Sequence, residues 1–427
     1  MKWFRIITLT LALLMGAMWF FASARYAVQA GWDSDVMRQW VVSQYLNAQE
    51  NPWRIAAETL KLNYGPAYGE NRFRLKDLVI YEVHPQLPTD GIDGVLPDYG
   101  PPTATYPPSS LFPIWMVVGG LPERVVLPFW LVVNSLALAF IAWLWWARCL
   151  RQPRLAFAGQ DGVFACGLAL AVLLLWPPTQ EVVRTSQFVF VVIPFLLLAL
   201  QYVEYRGWWS GVYFSLALIK PSLVLPFLFI PLIRLQWRVF VVIALTHGAA
   251  WLAVSWWLSA SPLALLIDWL TIPRYMLQGA YTLQEYVNRM GLDNTTLGTL
   301  LTLGFVAGCA LLALRYRSAS NDAMVPLFVA CSLLWTYHER YDFVLVLLAA
   351  PLLLSSRSAW PAKAGLVVFL ALGMALTDWA YMQDAPLLRV LRWGGRLAML
   401  AFLGLAIMHL RNAAKSRTWN RDGIELR

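Results

Sequence analysis

The stretch Gly207–Arg234, "GWWSGVYFSLALIKPSLVLPFLFIPLIR", decides the topology of this chain. It could cross a bilayer once as a kinked helix, or enter and leave as a hairpin of two short helices with Lys220-Pro221 at the tip. The basic residues separate the two readings. A single crossing would put Arg234, Arg238, Arg315, Arg317, Arg357 and Lys363 outside, together with Arg411, Lys415, Arg417 and Arg421 near the C-terminus. A hairpin puts all of them on the same side as Lys2, Arg5, Arg148, Arg151, Arg154 and Arg206, as the enrichment of Lys and Arg in cytoplasmic loops demands. Pro221 adds a local reason, because its ring clashes with the preceding turn and it has no N–H to give a helix. The hairpin is therefore expected. With it come about twelve membrane spans, both termini in the cytoplasm, and a cytoplasmic basic tail over residues 411–427.

Composition agrees with a membrane solvent. The 427 residues are 59% hydrophobic and only 13% charged, with a mean hydropathy of +0.56. A soluble domain carries about 25% charged residues. The whole chain reads as a single all-α polytopic membrane domain, residues 1–427. Its first apolar run, from Phe4, ends in "ASA" like a secretory leader, but it is longer than a leader's short core and many more runs follow. A retained anchor is expected. The net charge of +9 is spread in short clusters between apolar runs, so it points to membrane orientation and not to nucleic acid. Cys149, Cys166, Cys309 and Cys331 lie in or at the ends of apolar segments without metal-type spacing, as packing residues do.

Residues 25–122 form a large non-cytoplasmic loop, rich in Pro, Gly, Tyr and Asp, which is too polar to enter lipid. Two juxtamembrane helices are expected in it. One follows Asp35 and stops at Asn51-Pro52; the other, from Ser109, is too short to span and should lie at the interface. The hairpin topology then collects the polar groups that flank the apolar runs on one side of the membrane. They are Asp33 and Asp35, Tyr106, Arg184 with Gln187, Lys220, Asp293 with Asn294, and the segment "TYHERYD" around His338. Ionisable groups at this depth are costly unless they serve a cavity, so their convergence marks one site.

Each group has a functional and a structural reading. Asp33 or Asp35 can deprotonate a sugar hydroxyl as it attacks an anomeric carbon, or cap the helix that follows. Lys220 can hold a phosphate or reach to lipid headgroups. Arg184 offers a fork for phosphate or an interfacial anchor. His338, Glu339, Arg340 and Asp342 can pair among themselves, His338 and Asp342 being four apart, or contact phosphate or sugar. With four His in the chain and none adjacent to His338, no metal and no cofactor are expected. The 23 Trp and 17 Tyr read mostly as interfacial belts, though rings such as Trp32, Tyr106 and Trp335 are of a kind that stacks on sugars. No phosphate-binding Gly loop or internal repeat is present. An enzyme with this site and no nucleotide-binding domain would take its activated sugar from a lipid phosphate.

The order of these motifs resembles the GT-C class of membrane glycosyltransferases, and most of all glycosyltransferase family 87, over roughly residues 30–350. The family's Asp, helix and Asn-Pro-aromatic are matched by Asp35 through Asn51-Pro52-Trp53, a spacing that favours Asp35 over Asp33. Its Tyr-Pro-Pro is matched by Tyr106-Pro107-Pro108. Its Arg-x-Gly-Gln is matched by Arg184 and Gln187, with Ser186 in place of Gly. Its Lys-x-x-Pro is matched loosely by Lys220-Pro221, an Asn-Gln-Ser-like segment only by "DNTT" at Asp293–Thr296, and its His segment by "WTYHERYD" with a lone His338. The resemblance implies a GT-C fold in a bacterial inner membrane, its site facing the periplasm. It implies a polyprenyl-phosphate sugar donor, mannose-like hexose favoured, and a glycan or glycolipid acceptor held among membrane lipid. Asp35 would be the general base of an inverting transfer, with Asp33 beside it. Lys220, and with it Arg184, Arg340 or His338, would hold the departing phosphate. Tyr106, Gln187, Asn294 and Glu339 would line the substrate site. A lipid-linked saccharide transporter and a polysaccharide polymerase or ligase are the rival readings. The large loop and the lack of repeats speak against the transporter, and the early place of that loop speaks against the polymerase or ligase.

Overall fold

A computed structural model describes residues 2–30, 34–64, 91–96, 98, 99, 102, 104–151, 174–276, 295–335, 340–346, 348, 349 and 399–415. All regular structure among them is helical. In chain order the helices are α1 (Lys2–Ala30), α2 (Asp35–Asn47), α3 (Pro52–Tyr64), α4 (Pro108–Val118), α5 (Glu123–Arg151), α6 (Pro177–Arg184) and α7 (Val189–Tyr202). They continue with α8 (Gly207–Ala217), α9 (Pro221–Val224), α10 (Phe229–Ile233), α11 (Trp237–Trp257), α12 (Pro262–Met276), α13 (Thr295–Arg315) and α14 (Asn321–Trp335). Short 3-10 turns cover Leu225–Leu228 and Arg340–Leu345, and residues 399–415 are helical.

Among the described residues, four helical segments are long and apolar enough to cross a bilayer: Leu9–Gln29, Glu123–Trp143, Trp237–Trp257 and Leu297–Arg315. A fifth arises if Pro178–Arg184 and Val189–Tyr202, bent by 119°, form one broken span. Their outward faces carry exposed Leu11, Leu14, Met18, Val132, Leu136, Leu245 and Leu303, which in a chain of this composition is lipid-facing surface. This is a multi-pass membrane protein.

The stretch from Gly207 to Arg234 is a hairpin. Helix α8 stops at Ala217, and Pro221 begins a new helical piece. The backbone of Gly207 abuts Arg238, Gly211 abuts Val242, and Ser215 O meets His247 Nε2 at 3.2 Å. Helices α8 and α11 therefore run in the same direction, and the chain between them must return. Arg234 at the end of that return lies 3.9 Å from Glu204, just before its start. Gly211 makes the packing possible, because a Cβ there would stand 2.6 Å from Val242 Cβ. With 11 residues, α8 rises about 16 Å, near half of a hydrocarbon core.

Breaking a helix in the membrane strands carbonyls, which must find donors within the protein. At the tip they do. Ser110 Oγ donates to Leu218 O at 2.7 Å, Trp335 Nε1 to Ser222 O at 2.8 Å, and Ser332 Oγ to Leu223 O at 2.6 Å. At the opposite end of the hairpin the Arg234 fork donates to Asn321 Oδ1 at 2.9 Å, to Arg317 O and to Ala319 O.

The loop helices pack as a second cluster around Val36, Trp40, Tyr45, Trp53, Leu111 and Phe188. Indole N–H groups clasp its carbonyls: Trp40 to Leu121 O, Trp257 to Leu46 O, and Trp269 to Thr105 O. These tryptophans are structural donors. Helix α12, which the sequence reading left without an element, lies against α3. Cys309 and Cys331 are buried free thiols in the apolar core.

Candidate active site

Asp35 is the first residue of α2, but it does not cap that helix. Ser34 is the N-cap, its Oγ accepting from Met37 N–H at 3.4 Å. The Asp35 carboxylate instead accepts from the Tyr106 hydroxyl at 3.0 Å, while its backbone N–H donates to Thr185 O at 2.8 Å. Burial pushes its carboxyl above the ordinary carboxylate range. The Lys220 and Arg38 charges and hydrogen bonds from Tyr106 and Gln39 oppose that rise. A carboxylate lifted in this way is a stronger base than one in water.

Tyr106 is held from several sides. Trp53, fully buried, donates its Nε1–H to Tyr106 O at 2.8 Å. The Tyr106 ring meets Phe188 edge-on at 5.6 Å, and Phe188 packs on Trp130 at 4.5 Å. The Asn-Pro-Trp motif is explained by this contact. Asn51 Oδ1 accepts from Trp53 and Arg54 N–H, both at 3.1 Å, starting α3, and its Nδ2 donates to Asp268 at 3.0 Å. Pro52 suits a first helical turn, and Trp53 is thereby delivered to the Tyr-Pro-Pro backbone. Burial, then the charge of Asp35, the hydrogen bond to it and the charge of Asp342, raise the Tyr106 phenol well above its usual value. It stays a donor.

Lys220, at the hairpin tip and nearly buried, pairs with Asp342 at 2.5 Å. Asp342 sits in the 3-10 turn Arg340–Leu345 and is 2% exposed. Sequence spacing offered His338, which lies outside the described residues, as a partner for Asp342; among the described residues Asp342 pairs with Lys220, and nothing local in the sequence joins the two.

Helix α6 ends in a Schellman turn. Ser186 N–H donates to Val183 O at 3.2 Å and Gln187 N–H to Val182 O at 2.9 Å. Ser186 at its C′ position has φ +52, the left-handed conformation that favours glycine. A glycine would hold this conformation at lower cost. The Ser186 hydroxyl is buried without a partner among the described residues. The turn presents Thr185 O to Asp35. The Arg184 guanidinium lies 4.5 Å over the Tyr26 ring and 3.8 Å from Glu181, half-exposed. Gln187 is buried, and its carbonyl accepts from Trp130 Nε1 at 3.4 Å.

The structure thus brings Asp35, Tyr106 and Lys220 together with Asp342 of the "TYHERYD" segment, and adds Arg38 and Gln39, which were not among the sequence candidates. Asp33, Asn294, His338, Glu339 and the Arg340 side chain lie outside the described residues. Among the described residues no group of three His, Cys, Asp or Glu is placed to hold a metal ion.

Residues 104–337, more than half of the chain, match the family described as Glycosyltransferase family 87. The matched stretch holds Tyr106, Arg184, Gln187 and Lys220, and begins after Asp35. No curated protein and no solved structure matches the chain.

Proposed function

We propose that this chain, which belongs to glycosyltransferase family 87, transfers a mannose-like hexose from a polyprenyl-phosphate donor to a hydroxyl of a glycan or glycolipid. Membership makes it a membrane glycosyltransferase, with a sugar donor and an acceptor. The donor, the sugar and the acceptor class are our reading. So are about twelve spans, termini in the cytoplasm and a site facing the periplasm.

The observation that carries the reading is one half-buried carboxylate, Asp35, in the electrostatic reach of one buried ammonium, Lys220. Asp35 takes the proton of the acceptor hydroxyl as its oxygen bonds to the anomeric carbon. The anomeric carbon–phosphate oxygen bond breaks on the opposite face, and the lipid phosphate leaves with the electron pair. The configuration inverts. A phosphate needs little protonation to leave, so what the transition state requires is positive charge beside the growing phosphate charge. Lys220 supplies it, with Arg184, Arg340 or His338 as further cations. Gln187, Asn294 and Glu339 are assigned to substrate contacts, and Asp33 stands as the second carboxylate. Tyr106, assigned to the same contacts, also orients the base through its 3.0 Å hydrogen bond.

The test uses purified protein in nanodiscs, offered a panel of short-chain polyprenyl-phosphate hexoses and pentoses, with release of polyprenyl phosphate as the readout. One donor consumed by wild type and by Asp33→Asn, but not by Asp35→Asn, is the expected result. No donor consumed with crude lipid acceptors present, or full activity in Asp35→Asn, overturns the reading.

A further inference from the structure

The tip of the hairpin places one ammonium in contact with one carboxylate and within the electrostatic reach of another, the two coming from different parts of the chain. Asp342 comes from the 3-10 turn after α14 and Asp35 from the head of α2. Contact goes to Asp342, at 2.5 Å, while Asp35 receives the Tyr106 hydroxyl at 3.0 Å. Among the described residues, the charged and titratable groups facing this cluster are Asp35 and Arg38 from α2, Tyr106 from the segment before α4, Lys220 from the tip, and Asp342. Arg184 of α6 is turned to Glu181 and Tyr26.

Two arrangements of this triad differ in chemistry. If the ammonium sat on Asp35, it would cover an oxygen that must receive a proton, and an opposite charge at contact makes a carboxylate a weaker base. With the ammonium on Asp342, Asp35 keeps the neutral donors Tyr106 and Gln39, and the charge of Lys220 acts on it at a distance.

We infer that Asp342 is a positioning residue: by holding the Lys220 ammonium it keeps that cation off Asp35, leaving the base to the acceptor hydroxyl and the cation to the donor phosphate. The inference deepens the transferase reading and rests on it for its functional meaning, but the relation between the three side chains is open to measurement without any substrate.

The experiment is an infrared titration of the full chain in nanodiscs, with no sugar or lipid donor added. The protonated-carboxyl band that vanishes in Asp35→Asn is followed against pH in wild type, Asp342→Asn, Lys220→Gln and the double variant. Asp342→Asn is expected to lower the midpoint by about one pH unit or more, because Lys220 then pairs with Asp35. In the Lys220→Gln background the same change should have less than half that effect, since the agent of the shift is gone. An unmoved midpoint, an equal shift in both backgrounds, or no Asp35-dependent band at all overturns the inference. Where Asp342→Asn does not fold, Asp342→Glu carries the test: it must titrate as wild type, and a lowered midpoint counts against the proposal. Donor turnover is read separately. Wild type that shows the infrared behaviour yet consumes no polyprenyl-phosphate sugar refutes the donor reading and leaves the positioning role standing.

Discussion

Ser186 holds a left-handed backbone conformation at φ +52, with its hydroxyl buried and unpartnered among the described residues. Replacing it by glycine removes two costs. The left-handed region costs a residue with a Cβ about 1–2 kcal/mol, and an unsatisfied buried hydroxyl costs about 1–3 kcal/mol. Against this, glycine loses about 0.5–1 kcal/mol of chain freedom on folding, and one buried carbon group is worth about 0.8 kcal/mol. The net expectation for Ser186→Gly is a gain of about 2 kcal/mol, a rise in Tm of about 2 °C for a chain of this length. Ser186→Val sets the opposite sign, because a β-branched side chain is excluded from this conformation, and a loss above about 2 kcal/mol is expected. Tryptophan fluorescence in detergent during a thermal ramp reads both. A Tm that falls in Ser186→Gly, or a Val variant that melts with wild type, refutes the account of the Schellman turn.

Burial raises the Asp35 carboxyl, so the folded protein favours its protonated form; that contribution to stability is present below the ordinary value of 3.8 and is lost as pH rises through the raised one. Asp35→Asn should therefore melt higher than wild type at neutral pH, with the gain closing as pH falls toward 3.8, and melting curves across pH read it. Trp53→Phe removes the donor to Tyr106 O and should cost about 1–3 kcal/mol in stability, with kcat falling more than donor KM rises in steady-state assays. Arg234→Lys keeps the charge but loses the fork that spans Asn321, Arg317 and Ala319. It should lower Tm while leaving donor KM unchanged.

What the sequence made legible was local or statistical. Pro221 interrupts an apolar run, and the sidedness of Arg234 and Arg315 makes a hairpin of it. Asp35 was legible from its spacing to Asn51-Pro52, and the misfit at Ser186 from a motif four residues long. What was not legible is set by distance along the chain. Lys220 and Asp342 are 122 residues apart, and Trp53 and Tyr106 53 apart, so no periodicity links them. Ser34, not an Asp, caps α2, because Asp35 is drawn to Tyr106 by contacts only the fold creates. The tryptophans read as belts because an indole's partner carbonyl leaves no trace in composition. Helix α12 escaped notice since Asp268 and Pro273 break its apolar run, and Asp268 is there to meet Asn51.

The three clamps on the hairpin tip also bear on how the protein is made. Ser110 is synthesised before the carbonyl it serves, but Ser332 and Trp335 follow theirs by 109 and 113 residues. When the translocon releases the two half-length helices, Leu223 O and Ser222 O still lack these donors. The nascent hairpin must wait, shielded by water or by the insertion machinery, until α14 arrives. The last turn of α14 then acts as a latch, and correct insertion of the tip becomes a late event in biogenesis.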